Sequence, residues 1–390
     1  MALQGCTRDQ AGHEPSGSLL PMTTDRPLLK DLIDLPSVTA LAAAVAAVYP
    51  GAQPDVIVSQ VFDEAWPDRE LKQRIRHVAV VLHKHLPGDY PDALALLLSA
   101  ALEVEDLGFT AMVFNDFVEE YGVEYPDVSL PALEQFTKLV SAEFAIRPFI
   151  ELYPDRTFRQ LMVWAAGDDW RVRRLASEGS RPRLPWGRGL PSLKRDPAPI
   201  LPILSMLRGD PSEDVRRSVA NSFNDVSKDH PDLVVDLLAS WQDGSAEIDA
   251  LTKHALRTLL KKGHPGALAV LGFSSDPAIA IGAATIAPAS IPIGGSVELR
   301  CEIVATGPAP QQLMIDYAVE YQNASGTGSR KVFRGKVVEL APGERTELRR
   351  KISLRPMSTR AIFPGPHFVE IQVNGNVQNR LGFSVTSRDT

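Results

Sequence analysis

Two short stretches constrain this chain more than anything else in it. VRRLASEG starts at Val172, and VRRSVAN starts at Val215, 43 residues later. Each follows an acidic turn, Gly167-Asp168-Asp169 before the first and Gly209-Asp210-Pro211 before the second. A weaker third copy, LTKHALRTLLKKG, begins at Leu251. A period of about 40–47 residues with helical spacing is that of HEAT-like arrays. In such arrays helix pairs stack into a curved solenoid, because one pair alone cannot bury its apolar face. Equivalent positions of neighbouring repeats then line up on the concave side.

The rest of the chain fits around that array. The spacing predicts helices over Leu71–His85, Ala93–Val104, Ala111–Tyr121 and Leu130–Ala142, with Pro and Gly punctuating between them. After Ser274 the pattern changes to alternation. Ser296–Val304, Leu313–Gln322, Lys331–Leu340, Arg345–Leu354 and His367–Val373 read as strands. Asn374-Gly375 is a type I′ hairpin signal, and Ala341–Glu344 marks a second turn. About seven short strands in this length suggest an immunoglobulin-like sandwich, without the paired cysteines of antibody domains. The expected organisation is mostly α: a polar, disordered segment over 1–25, a HEAT-like helical repeat solenoid over 26–273 and an all-β immunoglobulin-like sandwich over 277–390.

Charge is unevenly distributed. The formal net charge is −7, but residues 1–140 carry 9 basic and 21 acidic side chains. Between Arg171 and Arg195 there are eight Lys/Arg and one acid, Glu178. Screening over about 8–10 Å makes this local face more important than the total. No apolar run is long enough to span a membrane. Cys6 and Cys301 lie far apart, so the expectation is a reducing, cytoplasmic setting without a disulfide framework. His83 and His85 are two apart on a helix and read as surface residues; no metal or cofactor motif is present.

The chemistry of the repeats follows from their faces. Val172, Leu175 and Ala176 form an apolar stripe, while Arg171, Arg174 and Glu178 share another side of the helix. Arg174 and Arg217 are equivalent positions, which stacking would set side by side as a row of cations. Arg181 and Arg183 follow on a Pro-stiffened loop that ends at Trp186. Guanidinium forks suit phosphate; a solvated face with an internal Asp/Arg ladder is the plain alternative. Glu143, bracketed by apolar residues, is either at a helix end or partly buried. Trp186 is either core or an exposed stacking surface.

The stretches SAEFAIRPF (Ser141–Phe149), VRRLASEGSRPRLPW (Val172–Trp186) and VRRSVANSFNDVSKDHPDLV (Val215–Val234) resemble the AlkC branch of the AlkC/AlkD DNA glycosylases. The resemblance covers about residues 30–272, and the sandwich matches AlkC proteins with a C-terminal immunoglobulin-like domain. It implies hydrolysis of the N-glycosidic bond of 3-methyladenine and 3-methylcytosine in duplex DNA, without base flipping, leaving an abasic site. It implies Glu143, Glu178 and Asp225 as acidic site residues and Trp186 as the aromatic on the lesion's sugar. Arg147, Arg174, Arg181, Arg183, Arg217 and Lys228 are expected to contact DNA or to hold those acids. The expected partner is double-stranded DNA with alkylated bases, bound by a monomer that joins the nucleoid while acting. The cationic stretches Arg330–Lys336 and Arg349–Lys351 are expected to close over the DNA from the sandwich. The competing reading is a non-catalytic HEAT-repeat protein that binds damaged or bent DNA.

Overall fold

The computed structural model describes residues 28–387, apart from 105, 325–327 and 358–359. The N-terminal segment expected to be disordered, with Cys6, lies outside the described residues. The helices begin with Leu35–Val48 and end with Pro265–Val270. Their stacking joins Trp170–Glu178 to Glu213–Val226 and the latter to Ala246–Ala255, so the three copies of the repeat are neighbours in space. The four expected helices occur as Leu71–Lys84, Tyr90–Ala100, Met112–Tyr121 and Pro126–Phe136. The third ends at Tyr121 as expected, whereas the second and fourth stop short of Val104 and Ala142 because the chain leaves the helix at Ala101 and Thr137. No helix among the described residues is long and apolar enough to cross a membrane.

The strands are β1 (Ile279–Ala287), β2 (Ser290–Pro292), β3 (Ser296–Ala305), β4 (Gln311–Gln322), β5 (Gly328–Leu340), β6 (Arg345–Ser353), β7 (Gly365–Val373) and β8 (Asn376–Thr386). They form a three-stranded sheet β1-β3-β6 and a five-stranded sheet β2-β8-β7-β4-β5. Alternate residues of β3, such as Val297, Leu299, Cys301 and Ile303, point into the core between the sheets. Sequence patterning misses β1, β2 and β8. Strand β1 is mostly small residues, and β8 interleaves Gln, Asn and Arg with few apolar positions.

The hairpin between β7 and β8 does more than reverse the chain. Asn374 (φ +48) and Gly375 (φ +80) adopt the left-handed conformations that a type I′ turn needs. The Asn374 side chain is fully buried: its Oδ1 accepts from the Met314 amide at 2.7 Å, and its Nδ2 donates to the Ser274 carbonyl at 2.8 Å. Met314, although on β4, packs in the core of the helical part. Gly375 meets Gly263 of the last helical turns so closely that a Cβ on Gly375 would sit 2.0 Å from the Gly263 Cα. Gly375→Ala is therefore expected to cost about 2 kcal/mol or more, from backbone strain and steric overlap together. A urea midpoint unchanged from wild type would show that this contact yields freely.

Candidate active site

The helix Trp170–Glu178 starts at Asp169, whose side chain accepts from the Arg171 amide at 2.8 Å. It ends at Gly179, but not through a left-handed turn: Gly179 has φ −64. Glycine is required there because a Cβ would lie 2.6 Å from the Ile146 side chain. The absence of a side chain brings the following loop down onto the turn that holds Glu143.

The repeated Arg-Arg pair divides its labour. Arg173 donates to Asp210 through Nε at 2.5 Å and Nη2 at 3.0 Å, and Arg216 donates to the Asp210 carbonyl at 2.6 Å. Arg173 thus ties the first repeat to the acidic turn of the second, whereas Arg216 closes on the turn of its own repeat. Arg174 turns the other way: its Nη1 donates to Glu143 Oε2 at 3.1 Å and to Ser141 Oγ at 3.1 Å, and its Nη2 lies 4.0 Å from Glu178 Oε2.

From Glu143, ahead of the first repeat, the charges alternate through that repeat to the second. Arg181 Nη1 donates to Glu178 Oε1 at 2.5 Å, and Arg181 Nε donates to Asp225 Oδ2 at 3.0 Å. Lys228 Nζ reaches Asp225 Oδ1 at 3.0 Å. Glu178 is 5% exposed, Arg181 6% and Asp225 2%. Burial pulls the Arg181 guanidinium down, but the two carboxylates outweigh it and leave its pKa raised. Arg183 donates to the Asp225 carbonyl at 3.0 Å and pairs with Asp229. In place of the expected row of cations there is an alternating series, nearer to the internal acid/arginine ladder of the plain alternative. Its geometric reason is that residues 174, 178 and 181 climb one helix and its loop while Asp225 faces them from the next.

Of the arginines expected to contact DNA or to hold the acids, Arg147 does neither and Arg181 does only the second. Arg147 is 0% exposed. It donates to the carbonyls of Arg188 at 2.6 Å, Gly179 at 2.8 Å and Arg181 at 2.9 Å. Burial lowers its pKa to about 10. It cannot reach a phosphate, and it shapes the loop instead. Arg181 is also enclosed, and it holds the acids. Arg217 is exposed but is paired with Glu213 and Asp214 on its own helix, away from the acids. Arg174, Arg183, Arg217 and Lys228 keep part of their side chains in solvent. On the sandwich, Arg330, Arg334 and Arg349 are already paired with Glu370, Asp316 and Glu298. His83, read as a surface residue, is instead stacked on Tyr121 with ring centroids 3.9 Å apart.

Trp186 is 69% exposed at φ +61, a strained position for a tryptophan. Its carbonyl accepts from Lys72 Nζ at 2.7 Å, and that ammonium lies 4.0 Å over the Phe144 ring. Sequence reasoning misses Lys72, which is 114 positions away from Trp186 and sits in a helix patterned for the core. It also misses Ser141, whose hydroxyl donates to Glu143 Oε2 at 2.8 Å.

Helix pairs that carry alternating acids and arginines on one face are thus joined to an immunoglobulin-like sandwich, the arrangement that the resemblance to AlkC proteins implies. A family described as the C-terminal Ig-like domain of the uncharacterised protein YhaZ matches residues 280–387. The uncharacterized protein YhaZ of Bacillus subtilis (strain 168) is 38% identical over 92% of this chain and 99% of its own length. A solved structure of Pseudomonas fluorescens alkylpurine DNA glycosylase AlkC, bound to DNA with an abasic-site analogue, superimposes with a TM-score of 0.87. It is 36% identical and covers 92% of this chain and 100% of that one. The chain belongs to the AlkC family.

Proposed function

We propose that the chain is a DNA repair glycosylase that hydrolyses the N-glycosidic bond of 3-methyladenine and 3-methylcytosine in duplex DNA, without base flipping. The observation that carries this reading is the series Glu143–Arg174–Glu178–Arg181–Asp225, with an exposed Trp186 at the end of the loop that carries Arg181. Among the enclosed groups two carboxylates, Glu178 and Asp225, share one guanidinium, Arg181, and leave one negative charge, which Arg174 and Lys228 offset, together with that of Glu143, only from part-exposed positions. A pure phosphate binder would gain nothing from it.

The reaction makes use of that charge. A 3-methylated base is cationic, so the C1′–N bond breaks with both electrons passing to the base, which leaves neutral without a general acid. The sugar becomes oxocarbenium-like, and carboxylates stabilise it and orient the water that adds to C1′. The water's proton passes to a carboxylate or to solvent. Trp186 offers an apolar face to the sugar, and Arg174, Arg183, Arg217 and Lys228 hold phosphates of the bent strand.

The test is the release of free bases from methylated duplex, followed by chromatography. Time-dependent appearance of 3-methyladenine and 3-methylcytosine is expected. Tight binding to methylated duplex with no free base would favour the non-catalytic reading. With four phosphate contacts, DNA affinity should fall roughly 10²-fold between about 50 and 200 mM salt. A flat salt response would remove the four cations from the interface.

A further inference from the structure

Next to the acid series lies a cleft of about 520 Å³. Ile75, Val80, Met112 and Phe144 supply apolar walls, and Asn115, Asp116 and Glu119 of the helix Met112–Tyr121 supply polar groups. Asp116 is satisfied, since Arg76 donates to it through Nε at 2.5 Å and Nη2 at 3.2 Å. The other two are not. Asn115 is 4% exposed; its Nδ2 donates to the Val140 carbonyl at 3.0 Å, and its Oδ1 has no hydrogen-bond partner. Glu119 has no hydrogen-bond or ion-pair partner among the described residues. Burial first, and the neighbouring Asp116 second, push its carboxyl pKa up.

Acceptors without a hydrogen-bond partner in a largely apolar cleft are costly unless a donor arrives, and the Lys72 and Arg76 cations that also line it act on Glu119 only through longer-range attraction. A flat apolar body with N–H groups on one edge is the chemistry that would meet both needs. The cleft's position narrows the source. Ser141 and Phe144 line it, and Ser141 is also bonded to Glu143. Lys72, at the same cleft, holds the carbonyl of Trp186. The cleft therefore opens beside the acids, although none of Glu143, Glu178, Trp186 and Asp225 lines it.

We infer that this cleft is a subsite for a nucleobase bearing an exocyclic amino group, with Glu119 and Asn115 accepting from its N–H edge. The inference rests on the glycosylase reading for one of its two sources. The base is either the one that has just left the sugar or a base of the strand unstacked by the same deformation.

Equilibrium dialysis of free 3-methyladenine against the full chain, with and without duplex carrying an abasic-site analogue, tests this. Saturable one-site binding is expected for the wild type, about tenfold weaker for Glu119→Gln and abolished for Val80→Phe, which fills the cleft while keeping its carboxylates. Circular dichroism and thermal melting establish that both variants are folded. Binding that persists in the presence of the duplex identifies the leaving base. Stoichiometric displacement by the duplex identifies a base of the strand. Equal binding by all three proteins, or no saturable binding by a chain that excises methylated bases, overturns the subsite. A chain that releases no base from methylated duplex fails the glycosylase reading instead, and the leaving-base source with it.

Discussion

Replacing Glu178 with glutamine is expected to lower the single-turnover rate of base release by about 10²–10³-fold, with duplex affinity nearly unchanged. Glutamine keeps the shape of the side chain and an oxygen that can still accept from Arg181 Nη1, so the loop has no reason to move. What disappears is one negative charge, 5% exposed, in a water-poor setting where charge stabilisation is strong. The transition state loses a partner for its developing positive charge, whereas the ground-state complex, held by phosphates, does not. The loss should therefore fall on the chemical step and not on binding. Single-turnover release from methylated duplex, with binding measured on an abasic-analogue duplex, separates the two. A rate within threefold of wild type would remove Glu178 from the reacting centre and transfer its proposed role to Asp225 or Glu143.

The second large effect is on stability. Arg181→Leu should destabilise the fold by about 3–5 kcal/mol, because Glu178 and Asp225 both lose their buried partner at once. Leucine fills much of the volume but cannot compensate either carboxylate. The contrast is Arg217→Leu. Its ion pairs with Glu213 and Asp214 lie in solvent, where such pairs are worth about 0–1 kcal/mol. The readout is the urea midpoint of each variant at neutral pH. If Arg181→Leu cost no more than Arg217→Leu, the buried carboxylates would have to be neutral or solvated, and the alternating series would not hold charge as described.

Much of the architecture is legible from periodicity. The 43-residue recurrence announces stacked helix pairs, and the alternation after Ser274 announces strands. The helix around Val172–Glu178 and the hairpin at Asn374-Gly375 follow from local residue chemistry that tertiary contacts leave intact. The site is legible only in part. Glu178 stands out as a lone acid among arginines, but sequence cannot tell which arginine faces outward. Arg147 and Arg181 carry the same charge as Arg183, and only packing shows that the first two are enclosed and turned toward carbonyls and carboxylates. Lys72 gives no local signal at all, since its contact with Trp186 spans two distant parts of the chain. Strands β1, β2 and β8 escape because small and amide side chains on a strand carry no amphipathic pattern.

Repeat proteins ordinarily diversify by gaining or losing whole units, since each unit touches only its neighbours. The alternating series removes that freedom here. Arg174 is bonded to Glu143, 31 positions before it, and Arg181 to Asp225, 44 positions after it. An inserted unit on either side would part an acid from its cation and place a buried charge against the wrong helix. The array between Ser141 and Lys228 is therefore expected to tolerate no added or lost unit, a constraint that the units outside it do not share.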